Sequence, residues 1–229
     1  MSDLKVCCTP GERALGFAAR ILEEAGIPVT AVPQADTTHL LLPVPTRCFD
    51  TLPENVVIVG GNLHCLPGYQ VLDLLKDPVY LEENAAITAR CAPLLVDVDW
   101  PGTSVLILGF GRIGKHLARI LTEQGAAVTV AARKETDLAL AKSLGYGAIP
   151  IQDAQAALPR FQVVFNTVPA MILSTAGAPD CIPVELASKP GMVGNRIIDG
   201  RGLPGKYAPE ASGALIARRF LALVKEEKG

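Results

Sequence analysis

Short apolar runs alternate with amphipathic stretches along this chain. In the first third, apolar runs at 4–9, 28–32, 39–44 and 56–59 predict strands. Over 12–25, apolar residues recur every three or four positions and Gly26 follows, which predicts a helix with a glycine stop. Strands alternating with helical segments favour a small parallel sheet flanked by helices.

The second half repeats this pattern more regularly. It contains predicted strands at 105–108, 127–131, 148–151, 162–166 and 181–185, and predicted helices at 115–124, 136–144 and 209–225. A further helix at 80–95 connects the halves. We therefore predict an α/β protein in which a doubly wound parallel-sheet Rossmann domain follows a second, smaller flavodoxin-like α/β domain.

We predict the domain boundary near residue 95. Residues 1–95 form the small substrate domain with its linking helix, and 96–229 form the dinucleotide-binding domain. The helix at 209–225 is a candidate to pack on the first domain.

A glycine motif of the form G-x-G-x-x-G joins the strand at 105–108 to the helix that follows it. In such a turn Gly109 permits the tight bend, Gly111 allows a pyrophosphate to approach the backbone, and Gly114 allows close packing of helix and strand. The helix N-terminus then directs N–H groups at the anion. The predicted cofactor-binding turn consists of Gly109, Phe110, Gly111, Arg112, Ile113 and Gly114.

The end of the next strand bears on the choice of cofactor. NAD-specific sites usually carry an acidic residue there to bind the ribose 2′-OH, whereas this sequence has Ala132, Arg133 and Lys134. Two cations suit a 2′-phosphate, which predicts NADP. NAD remains open, because Glu135 and Asp137 lie close by.

A second predicted cofactor contact follows the strand at 162–166. Asn166, Thr167, Val168 and Pro169 form a loop after this strand, where the nicotinamide of a bound dinucleotide is expected.

Composition excludes several classes of function. Hydrophobic residues make up 49% of the 229 residues, charged residues 19%, and the net charge is −2, so the chain is expected to fold around a sizeable core. Without a Lys/Arg run, nucleic-acid binding is unsupported. Because no apolar run approaches a membrane span and the first residues lack a signal-peptide core, we expect a cytoplasmic protein without a membrane partner.

The six cysteines predict neither a metal site nor catalysis. They show no C-x-x-C spacing and no zinc-type Cys/His cluster, so we expect no metal and mostly buried free thiols. His64 and Cys65 are adjacent in sequence but lack a third group to orient a base.

Three strings after the glycine motif resemble the A-subunit family of dipicolinate synthase. They are FNTVPA at 165–170, ELASKPG at 185–191 and GLPGKYAP at 202–209. The resemblance implies oxidation of dihydrodipicolinate to dipicolinate with a nicotinamide dinucleotide, together with a flavoprotein-like B subunit, during spore formation. The chain departs from the family in a shorter first domain, in Glu185 where Asp is usual, and in a short segment at 192–201.

A dicarboxylate substrate requires cationic or N–H-rich partners, since desolvated carboxylates must be paired. The candidates, chosen by position in loops after strands, are Lys189, Lys206 and Arg47 as cations, with Thr46 and Ser188, besides Asn166, as neutral donors. Lys189 is the leading candidate. No residue is assigned a catalytic role.

Two other functions stay open. A 2-hydroxyacid dehydrogenase shares the two-domain plan, but its chemistry generally needs a histidine in the cofactor domain, and His116 in the motif helix is the only one there. The chain could instead be a non-catalytic, NAD(P)-binding regulatory or scaffold subunit. A homodimer is compatible with either function.

Overall fold

Two large parallel sheets, one in each half of the chain, organise the computed structural model. The structure describes residues 4–9, 11–46, 52–63 and 66–226, so the predicted substrate residue Arg47 and the pair His64 and Cys65 lie outside the described residues. Unit 1 comprises the described residues up to Asn84 together with those from Pro204 onward, and unit 2 runs from Ala85 to Leu203.

Unit 1 contains a five-stranded sheet in the order β2-β1-β3-β4-β5, with every neighbouring pair parallel. Its elements up to Asn84 are β1 (Val6–Cys8), α1 (Arg13–Glu24), β2 (Val29–Thr30), β3 (His39–Leu41), β4 (Val57–Gly60), β5 (Val71–Asp73) and the first half of α2 (Pro78–Cys91), which continues into unit 2. The 2-1-3-4-5 order is that of flavodoxin-like folds, which confirms the predicted class of this part of the chain. The pattern did not predict β5, because three residues are too few to show alternation.

Unit 2 contains a six-stranded parallel sheet in the order β13-β11-β9-β6-β7-β8. Its elements are β6 (Ser104–Leu108), α3 (Arg112–Glu123), β7 (Ala127–Ala132), α4 (Glu135–Ser143), β8 (Gly147–Pro150), α5 (Ala154–Ala157), β9 (Val163–Asn166), β10 (Leu173–Ser174), β11 (Ile182–Glu185), β12 (Met192–Val193) and β13 (Ile198–Asp199). Read from β8, this is the 3-2-1-4-5-6 order of a Rossmann fold, as predicted.

The central strand of unit 2 is buried on both faces, as expected for a parallel sheet. Val105, Leu106, Ile107 and Leu108 are fully buried in β6, which explains the uninterrupted apolar run. Strands β10 and β12 pair in a separate two-stranded sheet. These two strands and β13, of two residues each, were not predicted.

Two helices complete the chain, α6 (Leu203–Tyr207) and α7 (Pro209–Glu226). The sequence around α6 resembles a loop because of its glycines and proline, but proline is tolerated in the first turn of a helix. Helix α7 packs against α1 within unit 1. A Cβ at Gly213 would lie 2.5 Å from the Ala14 carbonyl oxygen, so only glycine permits this approach of the two helices.

A buried ion pair also fixes α7 in unit 1. Arg219 Nε lies 2.5 Å from Asp77 Oδ2, and the side chains are only 15% and 4% exposed. Asp77 also accepts a hydrogen bond of 3.0 Å from the Val79 N–H, in the first turn of α2. This carboxylate therefore joins the start of one helix to the middle of another.

Of the helices that the structure describes, none has both the length and the apolar composition needed to cross a membrane. Four cysteines lie within the described residues, and all four are free and buried, as predicted: Cys7, Cys8, Cys91 and Cys181.

The buried thiols give a testable pH dependence. Burial raises the pKa of Cys8 to about 12 and that of Cys181 to about 11. We expect neither thiol in the folded protein to react with iodoacetamide at pH 8, and both to react once urea unfolds the chain, as read for each cysteine by peptide mass spectrometry. Rapid labelling of either thiol in the native protein would contradict its placement.

The sign of the accompanying stability change follows from the raised pKa values. The folded state holds these protons more tightly than the unfolded state, in which a thiol titrates near about 8.5. The contribution of each thiol to stability is therefore complete below that pH and is lost as the pH rises towards 11 for Cys181 and 12 for Cys8.

Candidate functional site

The first glycine of the turn after β6 has a backbone conformation that favours glycine. Gly109 has φ +93°, which side chains other than glycine rarely adopt. Its N–H donates to the Ala131 carbonyl of β7 at 2.8 Å. A Cβ at this position would lie 2.6 Å from Thr167 Oγ1 and 2.8 Å from Val168 Cγ2. Both conformation and space thus require glycine here.

The two following glycines differ in their surroundings. A Cβ on Gly114 would lie 2.3 Å from the Gly109 carbonyl oxygen, so this glycine permits helix α3 to pack on its own turn. A Cβ on Gly111 would meet nothing within 4 Å. The protein itself therefore does not require glycine at 111, whereas a ligand approaching this backbone would.

The start of α3 is suited to an anion. Gly111 occupies the N-cap position and offers no side-chain acceptor to the first-turn amides, and the first turn contains no acidic residue. Such a helix N-terminus attracts negative charge. The Phe110 ring is buried and packs edge-on against Tyr146, with 6.2 Å between ring centroids. Phe110 can therefore face a ligand only through its backbone.

The cations after β7 are accessible. Arg133 and Lys134 are exposed, whereas Ala132 is buried. Within the described parts of the chain, neither cation forms an ion pair. The cations follow β7 and the glycine turn follows β6. Because these two strands are parallel neighbours, the cations and the turn lie at the same end of the sheet. The positive charge and the exposure of Arg133 and Lys134 thus fit the phosphates of a dinucleotide.

Asn166 holds the loop on the other side of the turn. It is fully buried at the end of β9, which also neighbours β6. Its Nδ2 donates to the Val168 carbonyl at 2.9 Å, and its Oδ1 accepts from the Val168 N–H at 3.0 Å. Thr167 donates from Oγ1 to the Leu108 carbonyl at 2.7 Å. The loop is thereby held against Gly109, while Pro169 is exposed.

Glu185 is a buried carboxylate that the sequence analysis assigned no role. It ends β11, is 4% exposed and accepts four hydrogen bonds. Oε1 accepts from Asn166 Nδ2 at 2.8 Å and from the Ala187 N–H at 3.0 Å. Oε2 accepts from the N–H groups of Gly191 at 2.8 Å and Met192 at 3.3 Å. An acidic residue at the end of an apolar run was the signal that could have identified it.

The loop after β11 carries two of the predicted substrate residues. Ser188 and Lys189 are exposed, whereas Ala187 and Gly191 on either side are buried. A Cβ at Gly191 would lie 2.3 Å from Asn166 Nδ2, so this loop lies directly on the Asn166 side chain. The structure thus brings Ser188 and Lys189 to the same sheet edge as the glycine turn.

Two further predicted substrate residues, Thr46 and Lys206, belong to unit 1. Lys206 is exposed in α6. Thr46 is buried, donates from Oγ1 to the Pro43 carbonyl at 2.7 Å and accepts from the Gly61 N–H at 3.3 Å. Its hydroxyl hydrogen is therefore used within the protein, and a substrate role for Thr46 stays a prediction, as it does for Lys206.

In the described portion of the chain there is no cluster of three or more His, Cys, Asp or Glu residues that could hold a metal ion. His116 lies within α3 and is partly buried.

The chain is similar to known proteins in sequence and in fold. Residues 104–177 match the sequence model of a family described as NADP oxidoreductase, coenzyme F420-dependent. The A subunit of dipicolinate synthase from Bacillus subtilis (strain 168) is 30% identical over 143 residues, which are 56% of this chain and 48% of that protein. The chain thus matches about half the length of this curated relative.

Two solved structures share the fold. The dipicolinate synthase A subunit from Bacillus halodurans superimposes with a TM-score of 0.83 at 23% identity, covering 96% of this chain and 97% of that one. The corresponding protein from Bacillus subtilis has a TM-score of 0.82 at 22% identity, covering 99% and 97%. The predicted resemblance to the A subunit of dipicolinate synthase is confirmed, and the matches support an oxidoreductase with an NAD(P)-binding domain.

Proposed function

We propose that this protein oxidises dihydrodipicolinate to dipicolinate with NADP, as a relative of the dipicolinate synthase A subunit. The observation that carries the proposal is the glycine turn: Gly111 faces open space, and two exposed cations follow the neighbouring strand. In a chain similar to that synthase component, this arrangement favours a dinucleotide whose 2′-phosphate is bound by Arg133 and Lys134.

The proposed reaction is balanced without a metal ion. When bound, NADP⁺ supplies the acceptor for the hydride that leaves the dihydropyridine ring, and NADPH results. The ring also loses one proton, which passes to water, and its aromatisation favours the products. The protein then has to orient the ring and to neutralise its two carboxylates.

Lys189 and Ser188 are the substrate residues we propose in unit 2. Both are exposed in the loop after β11, whose neighbour β9 ends in the loop beside Gly109. A lysine ammonium and a hydroxyl donor satisfy a carboxylate that has lost its water. Lys206, Arg47 and Thr46 remain further candidates.

We further propose that the protein works with a second type of subunit in the cytoplasm during spore formation. The curated relative is named as one subunit of a synthase, which supports a partner. From the sequence resemblance we expect that partner to be a flavoprotein-like B subunit.

The choice of cofactor is tested at Arg133. We expect the wild-type protein to bind NADPH more tightly than NADH, by on the order of tenfold, because a charge-assisted contact to the 2′-phosphate is lost with NADH. Arg133→Ala should remove most of this difference by weakening NADPH alone. Isothermal titration calorimetry with both nucleotides measures it.

Arg160→Ala is the matched control. It removes the same charge from an exposed arginine that precedes β9, at the opposite end of the strands from the proposed site. Equal affinities of the wild-type protein for the two nucleotides would contradict the 2′-phosphate assignment.

Turnover distinguishes the enzyme from a scaffold protein. Dihydrodipicolinate and NADP⁺ are supplied to the protein with and without a flavoprotein-like B subunit, and both NADPH and dipicolinate are followed by absorbance. Formation of both products supports the proposal. Cofactor binding without turnover under either condition would favour a non-catalytic NAD(P)-binding role.

A further inference from the structure

We infer that Glu185 is the positioning residue of this site. It holds two loops in one arrangement: the loop after β11, which carries Lys189, and the loop after β9, which lies beside the glycine turn. The inference rests on the proposed function, since it concerns the site at which cofactor and dicarboxylate would bind. It assigns to Glu185 a role that acts through its neighbours and not by contact with the reacting atoms.

The Glu185 carboxylate closes its own loop. Its two oxygens bind opposite ends of the segment that carries Ser188 and Lys189: Oε1 accepts from the Ala187 N–H at 3.0 Å and Oε2 from the Gly191 N–H at 2.8 Å. Both ends of the segment are therefore fixed by one side chain, while Lys189 between them is exposed.

The same carboxylate connects this loop to the cofactor turn. Oε1 also accepts from Asn166 Nδ2 at 2.8 Å, and Asn166 in turn holds both backbone groups of Val168. The Val168 side chain packs against Gly109, since a Cβ on Gly109 would lie only 2.8 Å from Val168 Cγ2. The Glu185 carboxylate thus links the loop after β11, which carries Lys189, to Gly109.

The chemistry of the carboxylate makes this link rigid. Glu185 and Asn166 are both buried, and all four partners of Glu185 are N–H donors. Such a charge is stabilised only while these donors remain in place, so the network resists loosening. In Glu185→Gln, the side-chain NH₂ group would replace one of the two oxygens. In either position it would face N–H donors and could not accept their hydrogen bonds.

Product binding provides a test that does not depend on turnover. We measure the affinity of the whole protein, saturated with NADP⁺, for dipicolinate in the wild type, Glu185→Gln, Lys189→Ala and the double variant. Loss of an ordered loop should weaken dipicolinate binding about tenfold in Glu185→Gln. If Glu185 acts through Lys189, the double variant should bind no more weakly than Lys189→Ala.

Hydrogen exchange supplies the second readout. The amides of Ala187 and Gly191 should exchange faster in Glu185→Gln than in the wild type. Gln162→Ala is the matched control, because Gln162 immediately precedes β9, at the opposite end of that strand from Asn166, where its Oε1 accepts from the Ser104 N–H at 3.0 Å. It should leave these amides and dipicolinate affinity unchanged.

The outcomes separate the two proposals. Additive losses in the cycle, or unchanged affinity in a folded Glu185→Gln protein, would overturn the positioning role while leaving the proposed function intact. A wild-type protein that does not bind dipicolinate would overturn the proposed substrate and, with it, this inference. If Glu185→Gln does not fold, Glu185→Asp keeps the charge, withdraws the carboxylate by one methylene and enters the same cycle.

Discussion

Gly114→Ala is expected to lower the free energy of unfolding by about 2–3 kcal/mol and to weaken binding of NADPH. The added Cβ would lie 2.3 Å from the Gly109 carbonyl oxygen and 3.2 Å from the carbonyl carbon. Because both are backbone atoms, relief requires α3 to move away from the turn. Urea unfolding without nucleotide measures the stability, and NADPH fluorescence measures the affinity.

The same substitution at Gly111 should separate folding from binding. Gly111 has φ −79°, and an added Cβ would meet nothing within 4 Å, so Gly111→Ala should lower the stability only by about 1 kcal/mol or less, the difference between glycine and alanine at a helix N-cap. If a pyrophosphate lies against this backbone, the methyl group should lower NADPH affinity at least about tenfold, or about 1.4 kcal/mol. Undiminished NADPH affinity in Gly111→Ala would show that no cofactor approaches here.

Gly16→Ala controls for adding a methyl group to open space. Gly16 lies within α1, in unit 1, and a Cβ there also meets nothing within 4 Å. Alanine in a helix interior is favoured over glycine, so this variant should be more stable by roughly 0.5–1 kcal/mol and bind NADPH as the wild type does.

Asp77→Ala should destabilise unit 1 by about 3–5 kcal/mol, because removal of one partner of a buried ion pair leaves the other charge uncompensated. Here the unpaired charge is Arg219, whose side chain is 15% exposed. The change also removes the acceptor of the Val79 N–H at the start of α2. Urea unfolding followed by circular dichroism measures the loss.

Two variants sharpen this measurement. Replacing both partners, as in Asp77→Asn with Arg219→Leu, should recover part of the stability lost with Asp77 alone, because no charge is then left buried. Glu123→Gln breaks the exposed pair with Arg119 in α3, in which both side chains are 59% exposed, and should change stability by less than about 0.5 kcal/mol. Equal effects at the buried and exposed pairs would contradict the role given to Asp77.

A cofactor site could be proposed from the sequence because the residues that suggest it lie close together along the chain. Gly109, Gly111 and Gly114 lie within one turn, and Arg133 follows the next strand along the chain. Their spacing alone encodes a tight bend, an open backbone and a following charge. The structure adds that a Cβ at 111 would meet nothing within 4 Å, whereas one at 114 would lie 2.3 Å from the Gly109 carbonyl oxygen.

The support for the site could not be predicted in the same way, because it joins residues distant in sequence. Glu185 is 19 positions from Asn166, and their contact exists only because β11 and β9 are neighbours in the sheet. Asp77 and Arg219 are separated by 142 positions. The sequence around Glu185 or around Asp77 does not identify the residue that binds it.

Hydrophobic periodicity and glycine spacing were sufficient to predict the class of the fold and the tight glycine turn after β6, since both express the conformation of adjacent residues. The pairing of the two-residue strands β10, β12 and β13 and the polar groups that are buried together emerged only in the folded chain. Strand pairing and buried hydrogen bonds depend on contacts between segments far apart in the sequence. Thus Lys189 could be suggested from the sequence, whereas Glu185, which holds its loop, required the tertiary structure.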